Sequence, residues 1–157
     1  QLPNPVQDAR EVAEALQDMG WETELVTDPD AHVLNRALNR LVAGPGQVRD
    51  KAILFWFSGH GYTRTQADGS KLGYIIPVDA PDPEADLVRF MEKAVSMNQV
   101  EEISTQIMSK HVLMVFDSCF SGAVFKSVRA KPSMHIREKV AQPVRASARP
   151  RRPSCLP

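Results

Sequence analysis

Cysteine is scarce in this sequence, and its scarcity rules out several classes of protein. Cys119 and Cys155 are the only two. They are too few for a disulfide framework or for the paired clusters of a structural zinc site; a reducing compartment is compatible with that, and for this fragment a cytoplasmic location is favoured over a secreted one. No apolar run approaches the roughly 18 residues a membrane span requires. The opening Gln1-Leu2-Pro3-Asn4-Pro5 has neither the basic segment nor the apolar stretch of a secretion signal. It also has no initiator Met, as expected of a piece cut from a longer chain. Charge of either sign is not in excess: the formal net charge is +0. No global field therefore draws the chain to nucleic acid or to an anionic membrane. What is present, 43% hydrophobic residues over 157 positions, suffices for one packed domain, so function has to come from a local site.

Periodicity divides the chain into alternating helices and strands. Asn4 suits a helix cap, with Pro5 in the first turn and Gln7 three residues on. Val6, Ala9, Ala13 and Leu16 then recur at helical spacing until Gly20. Trp21 to Val26 alternates apolar and charged side chains, which predicts a half-buried strand before the turn Asp28-Pro29-Asp30. Leu34, Leu38 and Leu41 mark a second helix, ended by Gly44-Pro45-Gly46. Ala52 to Phe57 is apolar on both faces, the pattern of a strand inside a parallel sheet covered by helices. Leu72 to Val78 predicts another strand or hairpin arm, followed by an exposed loop over Asp79 to Asp86. Ser96 and Gln99 form a capping box for a helix carrying Val100, Ile103 and Ile107. Val112 to Phe116 repeats the pattern of a doubly apolar strand. The expected fold is α/β, an open, mostly parallel sheet with helices on both faces. From Lys126 the composition turns basic and proline-rich, and 126–157 is expected to be a largely disordered tail rather than a nucleic-acid or membrane tether.

Chemistry concentrates at two strand ends. In open parallel sheets functional groups gather at the carboxyl ends of the strands, and both His60 and Cys119 lie just past such ends. If the two strands are neighbours, about 4.8 Å apart, imidazole and thiol come within reach of one another. His111 opens the strand that Cys119 closes and so falls at the opposite edge. His32 lies in the second helix and His135 in the basic tail. Gly59 and Gly61 let the chain turn sharply around His60 and leave backbone N–H groups unobstructed. A buried cysteine or a plain Gly-His-Gly turn explains either segment alone, but not their joint placement.

Other chemistries fail on spacing. A cysteine phosphatase needs an Arg six positions after its nucleophile, where Phe125 stands. A nucleophile elbow needs glycines where this chain has Asp117 and Ser121. Phosphate-loop and dinucleotide glycine patterns are absent, and His60, Asp79, His111 and Cys119 lack metal-site spacing.

The segments Phe55-Trp56-Phe57-Ser58-Gly59-His60-Gly61 and Val115-Phe116-Asp117-Ser118-Cys119-Phe120-Ser121-Gly122 resemble the two catalytic blocks of the caspase family, as does their separation of about sixty residues. The Asp-Ser-Cys form is more similar to metacaspases and bacterial caspase-like peptidases than to animal caspases. Leu2 to Ala9, the Gly20-Trp21 pair and Tyr74-Ile75-Ile76-Pro77-Val78-Asp79 add to the likeness, which covers about 1–125 as a catalytic domain. The resemblance implies an endopeptidase in which His60 activates Cys119 and the backbone N–H groups of Gly61 and Cys119 face the oxyanion. It implies a basic-site polypeptide substrate, because Asp8, Ser58 and Asp117 match the acidic specificity pocket of metacaspases. Some metacaspases require calcium, but no acidic cluster identifies such a site, and no cofactor is expected. Relative to the family, the chain is expected to lack a first strand before Leu2 and the small-subunit strands after Arg145. Exposed sheet edges and self-association should follow. The alternative is a non-catalytic caspase-like interaction module, or an inactive remnant.

Overall fold

A computed structural model describes residues 5–120 of the chain. The cap assigned to Asn4 and the basic tail lie outside the described residues. Helix α1 spans Pro5–Asp18 and ends as its sequence requires. Gly20 takes a φ of 87°, a left-handed conformation that costs a side-chain-free residue little. Its N–H donates to the Gln17 carbonyl at 2.8 Å while Trp21 N–H donates to that of Leu16 at 3.0 Å, the pair of bonds that closes a Schellman motif.

The strand expected over Trp21 to Val26 does not form. No described strand offers it a ladder, and its charged residues are held instead through their side chains. Glu22 pairs with Lys51 at 2.9 Å, and Glu24 pairs with Arg40. Alternating charge and hydrophobicity is met here by ion pairing on one side, without backbone pairing.

Helix α2, Ala31–Ala43, begins at Asp30, whose carboxylate accepts from Val33 N–H at 2.8 Å. It buries Ala31, Leu34 and Leu38. A 3-10 turn over Pro45–Gln47 follows Gly44. Strand β1, Ala52–Ser58, runs parallel to the last described strand, β5, His111–Asp117, in a register from Ala52 opposite His111 to Ser58 opposite Asp117.

Between these two strands the chain builds a second, antiparallel sheet. It comprises β2 (Gly61–Thr65), β3 (Lys71–Ile75) and β4 (Val95–Ser96), in that spatial order. The arm expected over Leu72 to Val78 thus stops at Ile75, before Pro77, which has no N–H to give to a ladder. Helix α3, Leu87–Lys93, and helix α4, Met97–Thr105, complete the described residues. The capping box of Ser96 and Gln99 opens α4 as expected.

Side-chain alternation explains where the core lies. Phe55 is opposite Met114 and Phe57 opposite Phe116, and all four share one face of the parallel sheet. They pack against Leu34 and Leu38 of α2, Met97 and Val100 of α4, and Ile75 and Val95. The other face carries Leu54, Trp56, Leu113 and Val115. Helix α1 contacts β1 and adds nothing to the first core, while Leu113 remains 60% exposed. A second cluster lies on the antiparallel sheet, where fully buried Phe90 sits edge-on to Tyr62 and Tyr74, each 5.4 Å away between ring centroids.

Asp79 joins several elements. Its carboxylate pairs with Lys93 at the end of α3 and accepts from Ala31 N–H, at the start of α2, at 2.8 Å. The hydrogen bond from Lys93, followed by that from the Ala31 backbone, holds the Asp79 carboxyl below the usual carboxylate range.

Candidate active site

The two strand ends that carry His60 and Cys119 are neighbours in one parallel sheet. Ser58 and Asp117 are the last paired residues, and the ladder gains one further bond, from Gly59 N–H to the Asp117 carbonyl at 3.2 Å. His60 and Cys119 each stand two residues beyond that last pair, at equivalent positions on adjacent strands. Both are exposed, and Cys119 is a free thiol. No hydrogen bond joins imidazole to thiol among the described residues; in unliganded sites such bonds are often long and tighten only when a substrate binds.

Backbone bonds fix each residue. The His60 carbonyl accepts from Ile76 N–H at 3.1 Å, so His60 is held between the end of β1 and the start of the β2–β3 hairpin. Cys119 stands at the apex of a three-residue turn closed by Phe120 N–H on the Ser118 carbonyl at 2.9 Å. The two residues that flank the thiol converge on one point. A Cβ built on Gly61 would meet Ser118 Oγ well inside contact distance and the Phe120 ring at 2.9 and 3.1 Å. Phe120 in turn packs edge-on to Phe116, 6.5 Å away, and against the main core. On the histidine side, a Cβ at Gly59 would come within 2.9 Å of the Phe57 ring.

Three further residues proposed from sequence have mixed placements. Ser58 and Asp117 are half-buried and directly opposite one another across the ladder, so their side chains share a face. Asp8 is half-buried in the first turn of α1, which contacts β1. No described hydrogen bond or ion pair joins it to either of the other two. Among the described residues Ser58 Oγ, Thr63 Oγ1 and Ser118 Oγ are buried without a hydrogen-bond partner, a costly state for a hydroxyl. Ser118 and Phe120 were not singled out by sequence reasoning. Their contact with Gly61 spans almost sixty positions and has no local signal.

Other features stand apart from this site. His111 opens β5, beside Ala52, and His32 is exposed on α2. An open groove of about 440 Å³ lined by Trp21, Ile53, Leu54, His111 and Leu113 also lies at that far end, roughly 20 Å from Cys119 by strand length. No group of three or more metal-ligating side chains occurs among the described residues, and no described helix is long and apolar enough to cross a membrane.

Comparison with known proteins bears on the whole chain. No curated protein matches it, whereas a family model for the caspase domain matches residues 1–152. A His and a Cys block at neighbouring ends of a parallel sheet, within an α/β fold, agree with that match, and the chain belongs to the caspase-domain family of cysteine peptidases.

Proposed function

We propose that this chain is a cysteine-type endopeptidase in which His60 is the base for Cys119 and the substrate is cut after Arg or Lys. One observation carries the proposal: His60 and Cys119 occupy equivalent positions past the same end of two hydrogen-bonded parallel strands. The imidazole takes the thiol proton, and the thiolate attacks the scissile carbonyl carbon to give a tetrahedral oxyanion. Collapse breaks the C–N bond, with the amine leaving on the proton returned by His60, and gives a thioester on Cys119. Water, deprotonated by His60, then releases the acid and restores the thiol.

Two backbone donors suit the oxyanion, those of Cys119 and Gly61. The hairpin geometry favours the second. Bonded and non-bonded pairs alternate along an antiparallel ladder. Because Ile76 N–H bonds to His60, Gly61 opposite Ile75 falls in a non-bonded pair. Its N–H therefore points away from β3, on the side where a substrate could accept from it.

Preference for a basic side chain follows from Asp117 and Ser58 on one face, with Asp8 on the neighbouring helix as a second carboxylate. A desolvated carboxylate holds a guanidinium by charge-assisted bonds worth about 2–5 kcal/mol on loss of one partner. That corresponds to roughly 30-fold or more in rate between an Arg peptide and its citrulline isostere, at about 1.4 kcal/mol per decade. Cys119→Ala and His60→Ala should each abolish turnover of the Arg peptide while leaving the circular dichroism spectrum unchanged. Asp117→Asn should erase the preference for Arg over citrulline. Turnover that survives Cys119→Ala refutes the nucleophile, and an Asp peptide cut faster than the Arg peptide refutes the basic pocket.

A further inference from the structure

Gly61 follows the candidate base directly, yet its closest neighbours across the sheet end are the two residues that bracket the candidate nucleophile. Ser118 Oγ and the Phe120 ring occupy the volume that a side chain at residue 61 would fill. The turn between them is closed by a 2.9 Å hydrogen bond, with Cys119 as its apex. A three-residue turn has little freedom. With both of its ends packed at Gly61, the position of Cys119 depends on that contact.

We propose that Gly61, Ser118 and Phe120 form a socket and key that fixes the distance between Cys119 and His60, making these three the positioning residues of the pair. The proposal rests on the Cys-His reading above and adds a role for Gly61 separate from its N–H group. Among the described residues the buried hydroxyl of Ser118 makes no hydrogen bond, so its closest relation at the site is its packing against Gly61. The Phe120 ring is backed by Phe116, so a side chain at residue 61 presses on both flanks of Cys119 and shifts the turn that carries the thiol.

The test is a double-mutant cycle on the full chain. Its readout is the alkylation rate of Cys119 by iodoacetamide at neutral pH, with the modified residue identified by mass spectrometry so that Cys155 does not interfere. An unassisted thiol is only a few per cent thiolate near pH 7, so His60→Ala should slow labelling of Cys119 by about tenfold or more. In the Gly61→Ala background the same His60→Ala change should alter labelling by less than about twofold, because the coupling between the two residues is lost. Turnover of an Arg peptide should fall by about 10²-fold, the scale of a misplacement near 1 Å.

Gly61→Ala keeps its N–H, so a residue acting only as an oxyanion donor leaves the coupling intact. Adding Ser118→Ala to Gly61→Ala removes the closest obstruction while the Phe120 contact remains, and should restore part of the dependence on His60. Ser118→Val, which adds bulk from the opposite side, should abolish it with Gly61 untouched, and it decides the matter if Gly61→Ala does not fold. A His60 effect that persists in both Gly61→Ala and Ser118→Val overturns the socket alone. If His60→Ala has no effect even in the unaltered chain, the Cys-His reading falls, and the socket with it.

Discussion

Phe90 supports the histidine side of the site, although it lies outside it. It is fully buried, and its ring meets Tyr62 on β2 and Tyr74 on β3 edge-on at 5.4 Å each. Tyr62 follows Gly61 directly, so this cluster fastens the hairpin that continues from His60. Replacing Phe90 with Ala removes a whole buried ring, a change that costs about 3–5 kcal/mol in a packed core. Replacing it with Leu keeps most of the apolar volume and forfeits the two ring pairs, at about 0.5–1.5 kcal/mol each, or roughly 1–3 kcal/mol together. Urea unfolding followed by far-ultraviolet circular dichroism measures both. With a slope of about 1–3 kcal/mol/M, Phe90→Ala should lower the midpoint by more than about 1 M, and Phe90→Leu by less than Phe90→Ala. A midpoint for Phe90→Ala within about 0.3 M of the unaltered protein would refute the reasoning, because the cluster would then carry no core.

Two further outcomes follow from the joints of the fold. Asp79 has a carboxyl depressed by Lys93 and by the Ala31 N–H, so its contribution to stability is present above the unfolded value near 3.9 and is lost as pH falls through the lower folded value. The melting temperature of Asp79→Asn should therefore lie below that of the unaltered chain at pH 7 and converge with it under acid conditions; a gap that does not depend on pH counts against the clamp. Ser96 caps α4 by accepting from Gln99 N–H at 3.2 Å, and Ser96→Ala should cost about 1 kcal/mol by urea unfolding, whereas no loss would mean that the cap is idle.

Local signals made much of this architecture legible. Leu34 and Leu38 repeat at helical spacing and are buried in α2, and the Ser96-Gln99 pair opens α4. The two doubly apolar runs became β1 and β5, and they are neighbours, as the site required. Trp21 to Val26 misled because period-two alternation reports one-sided burial, and ion pairs with Lys51 and Arg40 produce the same pattern without a ladder. Gly61–Thr65 gave no strand signal, since Tyr62 is its only large apolar residue; its pairing with β3 is decided by tertiary context. Helix α3 is only seven residues long and leaves Leu87, Val88 and Met91 exposed, too short and too irregular a stripe to read. At the site, the positions of His60 and Cys119 followed from strand ends. The contact of Ser118 and Phe120 with Gly61 required knowledge of which loops meet in space.

The parallel pairing of Ala52–Ser58 with His111–Asp117 also imposes an order of events during synthesis. His60 leaves the ribosome first, and Cys119 follows roughly 3–12 s later at about 5–20 residues per second. Even then the thiol has no partner until every element between the two strands has found its place, since contacts between residues so distant in sequence form slowly. On the function proposed above, a nascent or half-folded chain would carry a base without a nucleophile, or both without alignment, and would not cut the unfolded polypeptides around it. Proteolytic capacity would then arrive with the last docking step, and the topology of the sheet itself would act as a delay on premature self-digestion.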